Sequence, residues 1–255
     1  MSLKPGHATD GSRHEEPSPY GAAFSAIYGE KWDLWCRLVW PILQQYLPAD
    51  RDGRSWLDLC CGSGGLLQLA EVDGFAVTGV DRSPFQLANA ARKVPGARLI
   101  EADVRSFESA NAYDVVTCVF DSLNYLTELD EVRALFERVA SCLKPDGVFV
   151  FDIKTAEGFR TESAKTLETA TGSVTFESAY DEAEALHRFT ATGTVEEGGE
   201  HRPFHEVHIQ RAHEAAVLEQ ALADLGLAVA VADFETGGEP APRSKRLVFT
   251  ARSGS

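Results

Sequence analysis

The run Ser55-Trp-Leu-Asp-Leu-Cys-Cys-Gly-Ser-Gly-Gly65 constrains this chain more than any other stretch. A short apolar segment carrying one acid, Asp58, empties into a glycine-rich turn, and Leu66, Leu67, Leu69 and Ala70 follow at helical spacing. The pattern predicts a strand, a tight loop and a helix start. Glycine admits positive φ and lets the backbone approach a ligand with no Cβ in the way. A second strand-like run, Ala76-Val-Thr-Gly-Val80, ends at Asp81. That acid lies about twenty residues past the loop, where an acid commonly holds a nucleoside ribose. The two pieces predict a pocket for a nucleoside-bearing ligand at the carboxyl ends of parallel strands.

A dinucleotide loop reads G-x-G-x-x-G. Here Gly62-Ser-Gly64 continues into Gly65, Leu66 and Leu67, so the third glycine is missing. A pyrophosphate rests on bare helix N–H groups, whereas an acid ahead of the loop suits a ligand with a cationic end. Downstream, Ala97-Arg-Leu-Ile-Glu-Ala-Asp-Val104 reads as a short strand ending in Asp103. Tyr113-Asp-Val-Val-Thr-Cys-Val-Phe-Asp-Ser-Leu-Asn-Tyr-Leu126 reads as a buried fourth strand, with Phe120, Asp121, Ser122 and Asn124 at its carboxyl end. A fifth strand, Gly147–Lys154, follows a Lys144-Pro-Asp-Gly turn.

Asp58-x-Cys60-x-Gly62-x-Gly64 resembles the D/E-x-G-x-G-x-G loop of class I S-adenosylmethionine-dependent methyltransferases, with Cys60 in place of the first glycine. The resemblance covers roughly residues 55–154. The segment Asp121-Ser-Leu-Asn-Tyr-Leu126 is similar to a group of small bacterial methyltransferases laid out like the aminosugar N-methyltransferases and glycine N-methyltransferase. The resemblance implies S-adenosylmethionine as cofactor and S-adenosylhomocysteine as product. It implies that Asp103 sits beside the adenine amino group, with Val104 next to it. It implies a loop of Cys60, Cys61, Gly62, Ser63 and Gly64 against the cofactor, Asp81 and Arg82 at the ribose, and Phe120 and Asp121 at the catalytic floor. Asp58 is expected near the cofactor's amino end, through water or loop N–H groups. Relatives carry a Tyr-x-x-Phe-Ala-x-x-Tyr-Asp pattern where this chain has Tyr20 to Tyr28, which implies Tyr28 as a lid on the cofactor. Gly29 stands where their acid would be.

The expected fold is α/β: a Rossmann-like, doubly wound, seven-stranded and mostly parallel sheet with a reversed last strand, plus an antiparallel β-meander insertion. Helices are predicted at 64–73, 83–93, 129–143 and 213–225, the second capped by Ser83 before Pro84. Residues 1–19 read as a disordered tail. Residues 20–154 and 212–255 form the cofactor domain, opening on a helical preface (20–47) that Pro41 should break, kink or restart. In that preface Trp32 and Trp35 are expected to pack. Residues 155–211 form the insertion, with strands at 173–180, 186–195 and 202–211, folded over the pocket mouth. The final strand pair is 227–234 and 244–251.

Of the 255 residues, 44% are hydrophobic, enough for a full core. No apolar run is long enough to span a bilayer and no signal peptide is present, which predicts a cytoplasmic protein without a membrane partner. A net charge of −15 repels phosphodiester backbones, so nucleic-acid partners are disfavoured. The five cysteines contain no C-x-x-C pair and read as reduced core thiols without metal. His205-x-x-His208 on a strand points to opposite faces, against a zinc pair.

The expected partner is a small-molecule amine or hydroxyl, with the protein a monomer or homodimer. His208 is the first candidate for a base, with Asp121 and Tyr125 as rivals. Tyr20, Asn124, Glu206, His208 and Arg211 are the candidate substrate-binding residues; the segment 205–211 resembles the Glu-x-His stretch of the narrower group. Two other readings stand beside this one: an NAD(P)-dependent oxidoreductase, and a non-catalytic S-adenosylmethionine-binding protein.

Overall fold

The computed structural model describes residues 20–109, 112–169, 172–197 and 199–254; the side chains of 27–32 and 197 lie outside the description. The expected tail at 1–19 lies outside the described residues.

Four runs are almost wholly buried: β1 (Ser55–Leu59), β2 (Ala76–Asp81), β4 (Tyr113–Cys118) and the second half of β5 (Leu143–Lys154). Continuous burial is what a parallel strand covered on both faces requires. With β3 (Arg98–Glu101), β10 (Ala228–Asp233) and β11 (Arg246–Arg252) they form one sheet in the order β3-β2-β1-β4-β5-β11-β10. Only β11 runs against its neighbours, pairing antiparallel with both β5 and β10. Helices α2 (Gly65–Val72), α3 (Pro84–Lys93) and α4 (Leu129–Cys142) make the crossovers. Ser83 caps α3 by accepting the Gln86 N–H.

The period-2 alternation of each strand splits the core into two layers. Leu57, Leu59, Val116, Phe149 and Phe151 pack under α4 and α6 (Ala215–Ala223), where Phe151 stacks on Phe249 at 4.6 Å between centroids. Trp56, Val115, Val148 and Val150 face the other way, against α2 and α1 (Ala22–Leu43). The strand order reverses between β1 and β4, and the crevice at that switch point is where a ligand fits a sheet of this kind.

After the short α5 (Ala156–Arg160), a separate antiparallel sheet runs β6 (Lys165–Thr169), β7 (Gly172–Asp181), β8 (Leu186–Glu197), β9 (Glu200–Arg211). It closes a small core of its own, Phe24, Val174, Phe176, Ala191 and Val195, beneath the start of α1.

The structure departs from expectation in four places. The meander has a fourth strand, β6, whose sequence Lys-Thr-Leu-Glu-Thr holds a single apolar residue and so carries no alternation to read. Helix α1 continues through Pro41 and ends two residues later, so the proline occupies the last turn. Strand β5 starts at Leu143 and absorbs the Lys-Pro-Asp-Gly turn, with Asp146 at φ 60 and a register shift against β4. Trp35 does not pack into the core: it is 55% exposed and lines a cavity. Among the described residues, no helix is long and apolar enough to cross a membrane, and no three His, Cys, Asp or Glu side chains gather as a metal site would need.

Candidate active site

Two cavities, each of about 540 Å3, open at the carboxyl ends of the parallel strands. The first lies over the β1–α2 loop and is lined by Cys60, Gly62, Ser63, Asp81, Arg82, Asp103, Val104 and Phe120. Cys60, Gly62 and Gly64 all have positive φ, at 59, 51 and 77. Each glycine has its own reason. A Cβ on Gly62 would meet nothing within 4 Å, so that space is left to a ligand. A Cβ on Gly64 would stand 2.9 Å from the Ala90 methyl, so the loop could not seat against α3.

The Asp81 carboxylate ties this loop down. Its Oδ2 accepts the Gly62 N–H at 2.8 Å and its Oδ1 accepts the Ser83 N–H at 2.8 Å. Burial pushes the Asp81 carboxyl up, and those two N–H groups partly oppose the rise. Each oxygen keeps lone-pair capacity for a ribose hydroxyl. Asp103 at the far end is paired with Arg105, whose Nη2 lies 2.6 Å from Oδ2 and whose Nε lies 2.9 Å from Oδ1. The Arg105 hydrogen bonds hold the Asp103 carboxyl below the usual range. An acid at each end and a bare backbone between them fit an adenosyl ligand.

The third acid is placed differently. Asp58 is 3% exposed and lines neither cavity. It accepts the Thr117 hydroxyl at 2.6 Å, and Thr117 in turn accepts the Trp56 indole N–H at 2.9 Å. Burial pushes its carboxyl up to about 7; the Thr117 bond opposes this and the Asp81 charge adds to it. Cys61 and Gly64 also lie behind the cavity surface, and burial raises the Cys61 thiol. The side chain of Tyr28 lies outside the described residues.

The second cavity lies between the large sheet and the four-stranded sheet. Phe24, Trp35, Phe176, Phe189 and Phe234 give it aromatic walls, and Asp121, Lys154, Glu162, Ser178, Gln210 and Arg246 give it a polar floor. Tyr20, Phe120 and Tyr125 line both cavities, so this wall is where the two meet.

The floor is built on strained backbone. Phe120 and Asp121 follow β4 with φ of 63 and 51, a region two consecutive non-glycine residues enter only when their surroundings enforce it. Asp152, 1% exposed on β5, does so: its carboxylate accepts the Phe120 N–H at 2.5 Å and the Asp121 N–H at 3.1 Å, and it pairs with Arg246. Arg246 also reaches Asp121 Oδ1 at 2.6 Å, and the Gln210 amide donates to Asp121 Oδ2 at 2.8 Å. Burial raises the Asp121 carboxyl, but Arg246 and Lys154 outweigh it and hold it below its ordinary value. Asp121 is therefore an anion and an acceptor, poorly suited to act as a base.

Alternation along β9 puts Glu206, His208 and Gln210 on the buried face, at 5%, 0% and 1% exposure, with His205 exposed on the other. Only Gln210 of the three lines a cavity. The expectation that His208 faces the substrate is corrected: Phe189 stacks over its ring at 4.1 Å, and its Nδ1 meets the Tyr125 hydroxyl at 2.8 Å. Three other expected substrate contacts prove to be ties within the protein. Glu206 accepts the N–H groups of Tyr20 and Gly21 at 2.8 and 2.9 Å, fastening the segment ahead of α1 to the meander. Asn124 is fully buried, donating to the carbonyls of Lys154 and Arg211 and accepting the Lys154 N–H, so its polar atoms are satisfied without a ligand. Arg211 donates to the carbonyls of Thr127 and Glu184.

Sequence reasoning missed Asp152, Arg246, Lys154, Glu162 and Ser178. Asp152 alone carried a signal: an acid inside the apolar run Val148–Ile153 is the same anomaly that marked Asp58. Lys154 pairs with Glu162, which also accepts from Ser178 at 3.1 Å and lies 3.2 Å from His187 Nε2. Burial raises the Glu162 carboxyl, yet His187 and Lys154 bring it down to about 2.

A family model described as "Methyltransferase domain" matches residues 57–147. The chain is 32% identical over 247 residues to "Putative methyltransferase YqeM" of Bacillus subtilis (strain 168), covering 90% of this chain and 95% of that one. It is 39% identical over 99 residues to the dTDP-3-amino-3,6-dideoxy-alpha-D-glucopyranose N,N-dimethyltransferase of Streptomyces fradiae, 38% of each chain. Among solved structures, an S-adenosylmethionine-dependent methyltransferase from Clostridium acetobutylicum ATCC 824 shares the fold with a TM-score of 0.71 at 23% identity, over 89% of this chain and 92% of that one. CalS10, an amino pentose methyltransferase from Micromonospora echinaspora solved with S-adenosylmethionine bound, matches with a TM-score of 0.69 at 23% identity, over 92% and 99%.

Proposed function

The chain belongs to the class I S-adenosylmethionine-dependent methyltransferases, and from that premise we propose that its acceptor is the amine of a small polar molecule, with an aminosugar the best fit. Its cofactor is S-adenosylmethionine; when bound, this supplies a methyl group activated on a sulfonium. The observation that carries the acceptor reading is the wall of Tyr20, Phe120 and Tyr125 shared by the two cavities. A cofactor held between Asp81 and Asp103 meets an acceptor in the second cavity across that wall. Aromatic walls take the faces of a sugar-sized ring, and the floor of Asp121, Glu162, Ser178 and Gln210 takes its hydroxyl and amine groups.

The protein's part is placement. The left-handed turn at Phe120 and Asp121 fixes the floor, and the meander with the Tyr20 segment walls the second cavity. Holding the amine in line and dry supplies most of the acceleration. The relatives that methylate dTDP-aminosugars support this acceptor class, and the absence of a G-x-G-x-x-G loop weighs against a nicotinamide enzyme. The strongly acidic chain favours a soluble small acceptor over a nucleic acid.

The test is release of S-adenosylhomocysteine by the full chain across a panel of dTDP-aminosugars, glycine, simple amines and the matching hydroxyl compounds. Turnover confined to amines, with sugar amines best, is the expected result. Turnover only with hydroxyl acceptors, or with none, would contradict it.

A further inference from the structure

A line of polar groups runs inward from the wall shared by the two cavities. The Tyr20 hydroxyl lies 3.2 Å from the Tyr125 hydroxyl, and that hydroxyl lies 2.8 Å from His208 Nδ1. On the far side of the ring, His208 Nε2 stands 3.4 Å from Glu206 Oε2, within ion-pair reach but without hydrogen-bond geometry, so this buried nitrogen makes no hydrogen bond among the described residues. His208 is fully buried, with Phe189 on its face and the Tyr20 ring edge-on at 5.3 Å. A histidine serving only to fill space here needs no carboxylate behind it. Glu206, itself 5% exposed, supplies one, aimed by the N–H groups of Tyr20 and Gly21. The order is hydroxyl, imidazole, carboxylate, the arrangement in which an imidazole takes a proton and a carboxylate steadies the resulting cation.

We propose that Tyr125, His208 and Glu206 form a proton relay that converts the acceptor's ammonium to a neutral amine before methyl transfer. An N–H bond of the ammonium breaks and leaves its electron pair on nitrogen. The proton joins the Tyr125 oxygen while Tyr125 passes its own to His208 Nδ1. The products are a neutral amine, an intact tyrosine and an imidazolium facing Glu206; nothing else is consumed. His208 touches no substrate in this scheme and is a positioning and proton-holding residue acting through Tyr125. The relay needs Nδ1 bare and the ring hydrogen on Nε2, the side on which Glu206 lies.

The titratable and charged groups around His208 come from four places. Glu206 lies on its own strand, Tyr125 on the turn after β4, Tyr20 ahead of α1 and Arg82 in the β2–α3 loop. Burial lowers the ring's proton affinity and Arg82 adds to that, while Glu206 opposes both. The ring is therefore neutral near neutral pH, and Glu206 is the group that favours its charged form.

The relay rests on the amine reading above, so the test separates the two. In the full chain with S-adenosylhomocysteine bound, 15N NMR of the imidazole rings should show His208 as the Nε2–H tautomer, with the Nδ1 resonance moving in Tyr125→Phe. The Nδ1–H tautomer would overturn the relay whatever the substrate. With dTDP-3-amino-3,6-dideoxyglucose as amine probe, Tyr125→Phe and His208→Gln should lose roughly 100-fold or more in kcat at about pH 7, a loss that shrinks toward about pH 9.5 as the amine deprotonates unaided. A loss independent of pH, or none, in variants that still bind S-adenosylmethionine would overturn the relay alone. Failure of the parent chain to bind that cofactor would instead overturn the reading beneath it.

Discussion

The Asp81 carboxylate accepts the Gly62 N–H at 2.8 Å, so the acid that ends β2 holds the ligand loop that follows β1. One residue thus shapes the floor of the cofactor cavity and faces into it. Asp81→Ala removes that bond and the one to Ser83, as well as the carboxylate proposed to hold the ribose. Charge-assisted hydrogen bonds of this kind are worth about 1.5–3 kcal/mol each. Calorimetry should show S-adenosylmethionine affinity reduced by roughly 100-fold or more, and retention of parent affinity would place the ribose elsewhere.

Asp58 predicts an unusual pH dependence. Its folded value of about 7 stands above the 3.8 of an unperturbed carboxyl. Between those values the folded chain keeps a proton that the unfolded chain releases, so this group's contribution is complete below pH 3.8 and is lost as pH rises to about 7. A gap that wide corresponds to at most about 4 kcal/mol. Asp58→Asn does not titrate, so thermal melts should show the variant gaining on the parent across that window. A constant difference between the two would show that Asp58 is already ionised.

Cys60 sits at φ 59, a conformation that costs a non-glycine residue about 1–2 kcal/mol. Cys60→Gly should therefore leave stability within about 1 kcal/mol of the parent, with the cofactor still bound. Cys60→Val, β-branched and least able to hold this φ, should weaken cofactor binding by roughly 10-fold or more. Equal binding by both variants would show that the loop does not depend on this conformation.

Asp152 staples the Phe120–Asp121 turn and partners Arg246, so Asp152→Asn removes a buried charge and leaves Arg246 with less to face. Breaking a buried pair costs about 3–5 kcal/mol. Chemical unfolding should show a loss near the lower end, since the Arg246 side chain keeps 22% exposure. Turnover should fall further than folding alone explains, because the floor loses its shape.

The sheet was legible because its evidence is local. An apolar run, a glycine turn and an acid at the next strand end read directly from Asp58 to Asp81, and alternation along β9 put Glu206, His208 and Gln210 on one face without saying which face is buried. The second cavity was not legible, because its floor is assembled from residues far apart in the chain. Arg246 and Asp121 meet at 2.6 Å across 125 positions, and no local pattern marks such a pair. Asn124, Glu206 and Arg211 look like ligands in sequence because polar residues near a strand end have two uses. In this fold they satisfy backbone groups where the meander joins the sheet. Strand β6 hid for a simpler reason: an exposed edge strand needs no hydrophobic face.

The most direct test of the whole account is a crystal structure of the full chain with S-adenosylmethionine. The adenosine should lie between Asp81 and Asp103, with the sulfonium methyl directed at the wall of Tyr20 and Tyr125. A cofactor bound with its methyl turned away from that wall, or with its ribose out of reach of Asp81, would contradict it.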